Sequence, residues 1–193
     1  MTTFKIFLTI CCGLLLSACS SKSTQSQFYM LNIDVSDLPT VQSKYTSIGI
    51  GPIEVATYLQ QSQLVTQESD NRYKLNEFNR WIEPLDDTIT SAMSTVFAHQ
   101  LGIKQVYTYP WLEVNPDLHL TIKLHRFHCQ INTKQCDLVA AWTLRNGKTG
   151  KQIKSDFVTE SLPLSKNDFV TVVETLSDLL KNLSKRIVTE IQG

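Results

Sequence analysis

The sequence has no surplus of either charge, with 18 Lys+Arg against 18 Asp+Glu. Nucleic acids and other polyanions select a basic excess, and acidic solvating tails show the reverse, so neither kind of partner is indicated. The marks of catalysis are missing as well. There is no Gly-x-Ser-x-Gly, no Gly-rich phosphate loop and no pair of acids in a plausible pocket arrangement. Gly49-Ile50-Gly51-Pro52 lacks the spacing and the downstream Lys of a nucleotide loop and reads as a structural bend. No enzyme is expected. Low-complexity tracts and internal repeats are lacking too, and the main hydrophobic run, Ile6 to Leu16, is shorter than the ~20 residues a membrane span needs.

That run gains meaning from its flanks. The Met1 amine and Lys5 precede it, and Leu16-Ser17-Ala18-Cys19 closes it as a lipobox. An ordinary signal peptide or a membrane anchor does not account for a cysteine at that place. Residues 1–18 are expected to be removed and the Cys19 thiol to carry a diacylglyceryl group. Bacterial lipoproteins, which this signal resembles, carry several acyl chains there; at about 0.8 kcal/mol per buried methylene, more than one chain anchors stably. No other cofactor is expected. Ser20 follows the cysteine, whereas inner-membrane retention in the sorting rule of such lipoproteins usually needs Asp, so the outer membrane, facing the periplasm, is the expected location. Residues 19–27 form the lipidated cysteine and a polar tether; the eight residues Ser20 to Gln27 reach at most ~28 Å. Residues 28–193 then form one domain.

Of five cysteines, Cys11 and Cys12 leave with the signal and Cys19 is acylated, which leaves Cys129 and Cys136 in an oxidising compartment. A disulfide is the preferred reading. A zinc site with His125 and His128 is the weaker one, because the two histidines project to opposite faces of a continuous strand and no second Cys or His pair follows. Free thiols are the third. Pairing the cysteines directly opposite would set even-numbered positions of one strand against odd-numbered positions of the next, so a bulge or an irregular tip around Asn132 to Gln135 is expected.

The periodicities describe an α+β domain, a mostly antiparallel sheet with two main helices. Strands are expected at Phe28–Ile33, Ser47–Val55, Gln63–Gln67 and Tyr73–Phe78, the early ones as a meander. Acids after Pro84 and an apolar spacing from Ile89 to Leu101, stopped by Gly102, give the first helix. Leu118, Leu120, Ile122 and Leu124 alternate with polar residues, and strands around Leu138–Leu144 and Ile153–Leu162 follow as hairpins. Ser165 and Asp168 resemble a capping box. The helix after it, from about Lys166 to Ile191, would be roughly 39 Å long. Core packing is the preferred use of its apolar stripe, with an overhang serving a partner as the alternative.

Asn79-Arg80-Trp81-Ile82-Glu83-Pro84 places a large aromatic between an Arg and a Glu. In the plainer reading Trp81 plugs the core while Arg80 and Glu83 pair or form a solvated rim. In the functional one Arg80, Trp81 and Glu83 belong to a subunit or partner interface, where Trp and Arg are enriched.

Ile48 to Val55, Tyr58-Leu59, Gln63 to Thr66 and Phe78 to Leu85, with the lipobox and Phe28-Tyr29-Met30-Leu31, resemble the ABC-type transport auxiliary lipoproteins of the PqiC (paraquat-inducible lipoprotein) group. Cys129 and Cys136 are not part of that likeness. The resemblance implies a compact domain similar in outline to the amino-terminal domain of TolB. It implies work beside mammalian-cell-entry (MCE) proteins that carry lipid across the periplasm. Docking of the MCE conduit to the outer membrane follows, with a homo-oligomeric ring of copies. A pilot-like assembly lipoprotein for another envelope complex is the alternative reading, and a lipid-binding carrier, which would need an apolar cavity, is the third.

Overall fold

The computed structural model describes residues 24–192; the lipobox and Cys19 lie outside the described residues. Eight strands form one sheet: β1 (Gln27–Tyr29), β2 (Ser47–Val55), β3 (Gln63–Ser69), β4 (Arg72–Trp81), β5 (Gln105–Thr108), β6 (Leu118–Gln130), β7 (Gln135–Asn146) and β8 (Gln152–Pro163). Two helices, α1 (Leu85–Leu101) and α2 (Phe169–Gln192), complete the α+β domain.

The sheet is mixed. β3–β4 and β6–β7–β8 are antiparallel hairpins, whereas β1 runs parallel to β4, and β2 parallel to both β5 and β6. The expected meander of the first strands is therefore corrected: β2 does not pair with β3. Instead β2 and, further along, β3 occupy the same edge of β6, with a 3-10 turn at Thr57–Leu59 between them. A sequence with no hairpin turn between two strands gives no local signal for such parallel, non-neighbouring pairing.

β6 is the spine, and its pairing with β7 explains the parity problem. Leu124 faces Ala140 but Arg126 faces Val139, so His125 is bulged out. A one-residue bulge moves every following side chain to the other face. Leu118, Leu120, Ile122 and Leu124 are buried before it, and Phe127 and Cys129 after it, while β7 keeps Cys136, Leu138, Ala140, Trp142 and Leu144 buried without a break. The structure takes the bulge and sets it at His125 rather than at the hairpin tip. Cys129 and Cys136 then lie directly opposite, joined in a disulfide and fully buried. His125 is exposed and tilts against Phe157, while His128 is buried on the opposite face from Cys129.

Both helices cover the face that carries these apolar residues. α1 packs on β2, β5 and α2, and α2 on β6, β7 and β8. α1 starts after Pro84 with Asp86 and Asp87 in its first turn and stops at Gly102, whose φ of 60° is left-handed and suits a residue without Cβ. α2 begins at Phe169, three residues later than the expected Lys166. Asp168 is its N-cap: its carboxylate accepts from the Thr171 backbone N–H at 2.8 Å and from the Thr171 hydroxyl at 3.0 Å. Those bonds hold the Asp168 carboxyl below its ordinary pKa. Its stripe from Val172 to Ile191 is buried to the end, which leaves no overhanging turn for a partner.

Candidate partner-docking site

The residues from Trp81 to Asp86, with the end of β2, bound an open cleft of about 910 Å3. Its shape follows from the way β2 and β3 diverge. Pro52 lacks an N–H for the ladder, and the β2–β6 register slips between Ile50 and Ile53. Gly51 carries the slip at a φ of 117°, a conformation that a Cβ would strain. The 3-10 turn leads the chain away to Gln60–Ser62, and β3 approaches β6 again only at Thr66. Across the gap, Trp81 N–H donates to the Ser62 carbonyl at 2.8 Å, which closes the cleft at one end. Pro84 then turns the chain out of β4 and into α1.

Apolar and acidic groups share the lining. Ile53, Val55, Trp81 and Leu85 are core residues whose edges form the floor, and Ile82 stands on the rim. Glu54, Glu83 and Asp86 face Lys123 alone among the basic lining residues, and Lys123 already pairs with Glu54 at 3.3 Å. The cleft therefore keeps an acidic excess.

Arg80, Trp81 and Glu83 meet this site in different ways. Trp81 is 7% exposed, so it is a core plug that shows the cleft an edge. Arg80 does not pair with Glu83: its Nη2 donates to Glu77 Oε1 at 2.7 Å and its Nε to the Glu77 carbonyl at 3.0 Å, because a bulge after Asn76 folds Glu77 back beside it. Glu83 is exposed and has no ion-pair partner among the described residues. Sequence reasoning missed Glu54, Lys123 and Asp86 as neighbours of this segment. Only the parallel β2–β6 pairing, which sets Glu54 beside Lys123, could have revealed the first two.

Cys129 and Cys136 are not among the lining residues; they sit under α2, with Cys129 Sγ 4.0 Å from the Val172 carbonyl. His128, which the zinc reading grouped with His125 and the two cysteines, lies between side chains that use both ring nitrogens. Nδ1 is 2.9 Å from the Tyr58 hydroxyl and Nε2 is 3.0 Å from Gln67 Oε1. Asp137, also buried, accepts from Ser161 at 2.6 Å, Gln135 at 2.9 Å and Gln130 at 2.5 Å, with Arg126 at 3.8 Å. Burial pushes its pKa up, but these donors and the Arg126 charge outweigh burial and hold it below the usual carboxylate range. No group of three or more potential metal ligands is gathered among the described residues.

The family model for the ABC-type transport auxiliary lipoprotein component matches residues 29–188. The chain belongs to this family. By that description its members are auxiliary lipoprotein components of ABC-type transport. Among the described residues no helix is long and apolar enough to cross a membrane. No curated protein matches the sequence closely enough to count as a relative. Among solved structures the chain is similar to an uncharacterized protein with a TM-score of 0.71 at 20% identity, over 87% of this chain and 99% of that one. It is also similar to protein XCC0632 from Xanthomonas campestris, with a TM-score of 0.69 at 16% identity, over 86% and 96% of the two chains. These two likenesses are of fold. A looser likeness is to the PelC dodecamer from Paraburkholderia phytofirmans, with a TM-score of 0.48 at 12% identity over 81% and 93%.

Proposed function

We propose that this protein is a lipid-anchored periplasmic lipoprotein of the outer membrane that docks the conduit of an MCE-type intermembrane lipid transport system. Membership of the transport auxiliary family across residues 29–188 carries the reading. The lipobox at Cys19 supports the anchor, and Ser20 after it the outer membrane. The acidic, apolar-floored cleft beside Trp81 is the docking surface, since a partner segment with apolar side chains and a basic residue would bury the floor and answer Glu83 and Asp86. The partner is an MCE-domain protein of the same system, received by a ring of copies.

A photo-crosslinking side chain at Gln61, on the cleft wall, tests this in intact cells. Recovery of an MCE-domain protein supports the proposal. Recovery of secretin or other pore subunits with no MCE protein overturns it in favour of a pilot-like role.

A further inference from the structure

Beside the cleft, the sheet ends in a short edge strand whose outward side is apolar. Phe28 is 61% exposed, Met30 45% and Ile82 58%. They share a face by register. Phe28 stands opposite Arg80 in the parallel β1–β4 pair, and the Ile82 N–H to Tyr29 carbonyl bond at 2.9 Å carries the pairing one step further. Tyr29 and Trp81, the alternate residues, point the other way, Tyr29 against Phe169 of α2 and Trp81 into the core. Arg80 lies among the three apolar side chains with its charge answered by Glu77 at 2.7 Å, so the patch has no strong sign.

The position of this patch in the chain says what covers it. Phe28 is the first residue after the polar tether, and Cys19 is nine positions before it. Eight intervening residues span at most ~28 Å, so an acyl chain on Cys19 holds the patch within that reach of the bilayer whatever the rest of the domain does. Three exposed apolar side chains are a weak membrane anchor for a free protein. On a short tether the second contact is intramolecular, at a local concentration on the order of millimolar, and weak contacts then suffice to set orientation.

We propose that Phe28, Met30 and Ile82 rest on the lipid surface and orient the domain on the membrane that its tether is anchored in. The partner is the bilayer interface, met through apolar insertion rather than charge. Ile82 is also on the rim of the cleft, so this orientation opens the cleft beside the membrane. The inference rests on acylation of Cys19.

The test uses the full lipidated chain in phosphatidylethanolamine and phosphatidylglycerol vesicles, with Met30→Cys carrying an environment-sensitive fluorophore and the Cys129–Cys136 bond kept oxidised. Thr149→Cys, in the turn between β7 and β8, is the comparison site. Spin-labelled lipids are expected to quench the probe at position 30 several-fold more than at 149, with little change in high salt, and Phe28→Ser with Ile82→Ser is expected to abolish the difference. Acylated protein whose position 30 is no better quenched than 149 overturns this proposal while the anchor stands. A water-shielded but unquenched probe, unchanged in detergent, overturns it in favour of a second copy on the patch. An intact mass without added lipid sinks both the anchor and the patch's orientation.

Discussion

Tyr58 donates its hydroxyl hydrogen bond to Nδ1 of His128 across 2.9 Å. The direction follows from the next residue in the chain of bonds. Gln67 Nε2 donates to the carbonyls of Ser69 and Asp70, so Gln67 Oε1 is the acceptor for His128 Nε2, and Nδ1 is left as the lone pair that Tyr58 meets. The ring is thus held neutral in one tautomer, on the face of the sheet away from the helices. Burial, helped by the nearby Arg126 charge and opposed by Asp137, brings the His128 pKa down to about 4. Burial, with the neighbouring Tyr73, lifts the Tyr58 hydroxyl to about 12, so it stays a donor.

This arrangement makes stability depend on pH with a definite sign. The folded His128 takes up a proton near 4 and the unfolded one near its ordinary 6.5. The unfolded chain therefore binds the proton first. The contribution of the neutral ring is complete above the upper value and is lost as pH falls through the window between them, on the order of 3 kcal/mol in all. Urea unfolding at steps between pH 7 and 4 is expected to show this slope, and His128→Gln to flatten it. Tyr58→Phe, which strands the buried Nδ1, is expected to cost about 1–2 kcal/mol at neutral pH.

The hairpin tip offers a second prediction. The Cys129–Cys136 bond closes a loop of sequence separation 7. A loop that short constrains the unfolded chain modestly, so replacing both cysteines by Ala is expected to cost about 2 kcal/mol by the loop-closure relation. Because both sulfurs are fully buried under α2, reductant is expected to act slowly on the folded protein and quickly in urea. Thiol labelling with and without denaturant reads this directly, and equal rates in both conditions would contradict the burial.

What could be read from the residues was what is local. The bounds of β2 and the stop of α1 at Gly102 follow from β-branched alternation and a left-handed cap, signals that need no partner. β5 escaped notice because its four residues are too few to show a period. The parity conflict at Cys129 and Cys136 showed that a bulge was needed but not where, since any position between Leu124 and the tip would restore the register. His125 is where β6 leaves the stretch paired with β2 for the part beside β3. The cleft was the least legible feature. Trp81 and Glu83 drew attention by composition, yet the cleft exists because β2 and β3 run parallel to one strand and diverge, and long-range parallel pairing leaves no trace in neighbouring residues.

The loop between β5 and β6 contributes a steric prediction. Gly147 passes so close to this loop that a Cβ on it would lie 1.8 Å from the Pro116 carbonyl oxygen, while its N–H donates to the Asp117 carbonyl at 2.8 Å. The obstacle is backbone held by that bond, so it cannot swing aside as a side chain would. Gly147→Ala is expected to destabilise by about 3 kcal/mol, near the top of the range for overpacking, and to lower the Tm by roughly 10 °C for a chain of this size. Gly150→Ala, in the same turn but facing open space at a φ of 68°, is expected to cost only about 1 kcal/mol of backbone strain. Equal losses at the two sites would mean that the close approach at Gly147 relaxes freely.

Trp81 and Glu83 are two residues apart, and their roles separate by experiment. Trp81 is packed into the core, and its truncation to Ala is expected to cost about 3–5 kcal/mol. Loss of partner capture in that variant would therefore report unfolding and nothing about docking. Glu83 is exposed and unpaired among the described residues, so Glu83→Arg is expected to leave the urea midpoint within the equivalent of about 0.5 kcal/mol. It also reverses the charge on the rim of the cleft, where Asp86 alone would then stand against the new Arg, since Glu54 and Lys123 already pair with each other. If the partner brings a basic residue to this wall, the yield of the Gln61 crosslink in cells is expected to fall several-fold in Glu83→Arg while the amount of protein stays constant. An unchanged yield would show that the partner meets this wall without reading its charge, and would remove Glu83 from the docking contacts.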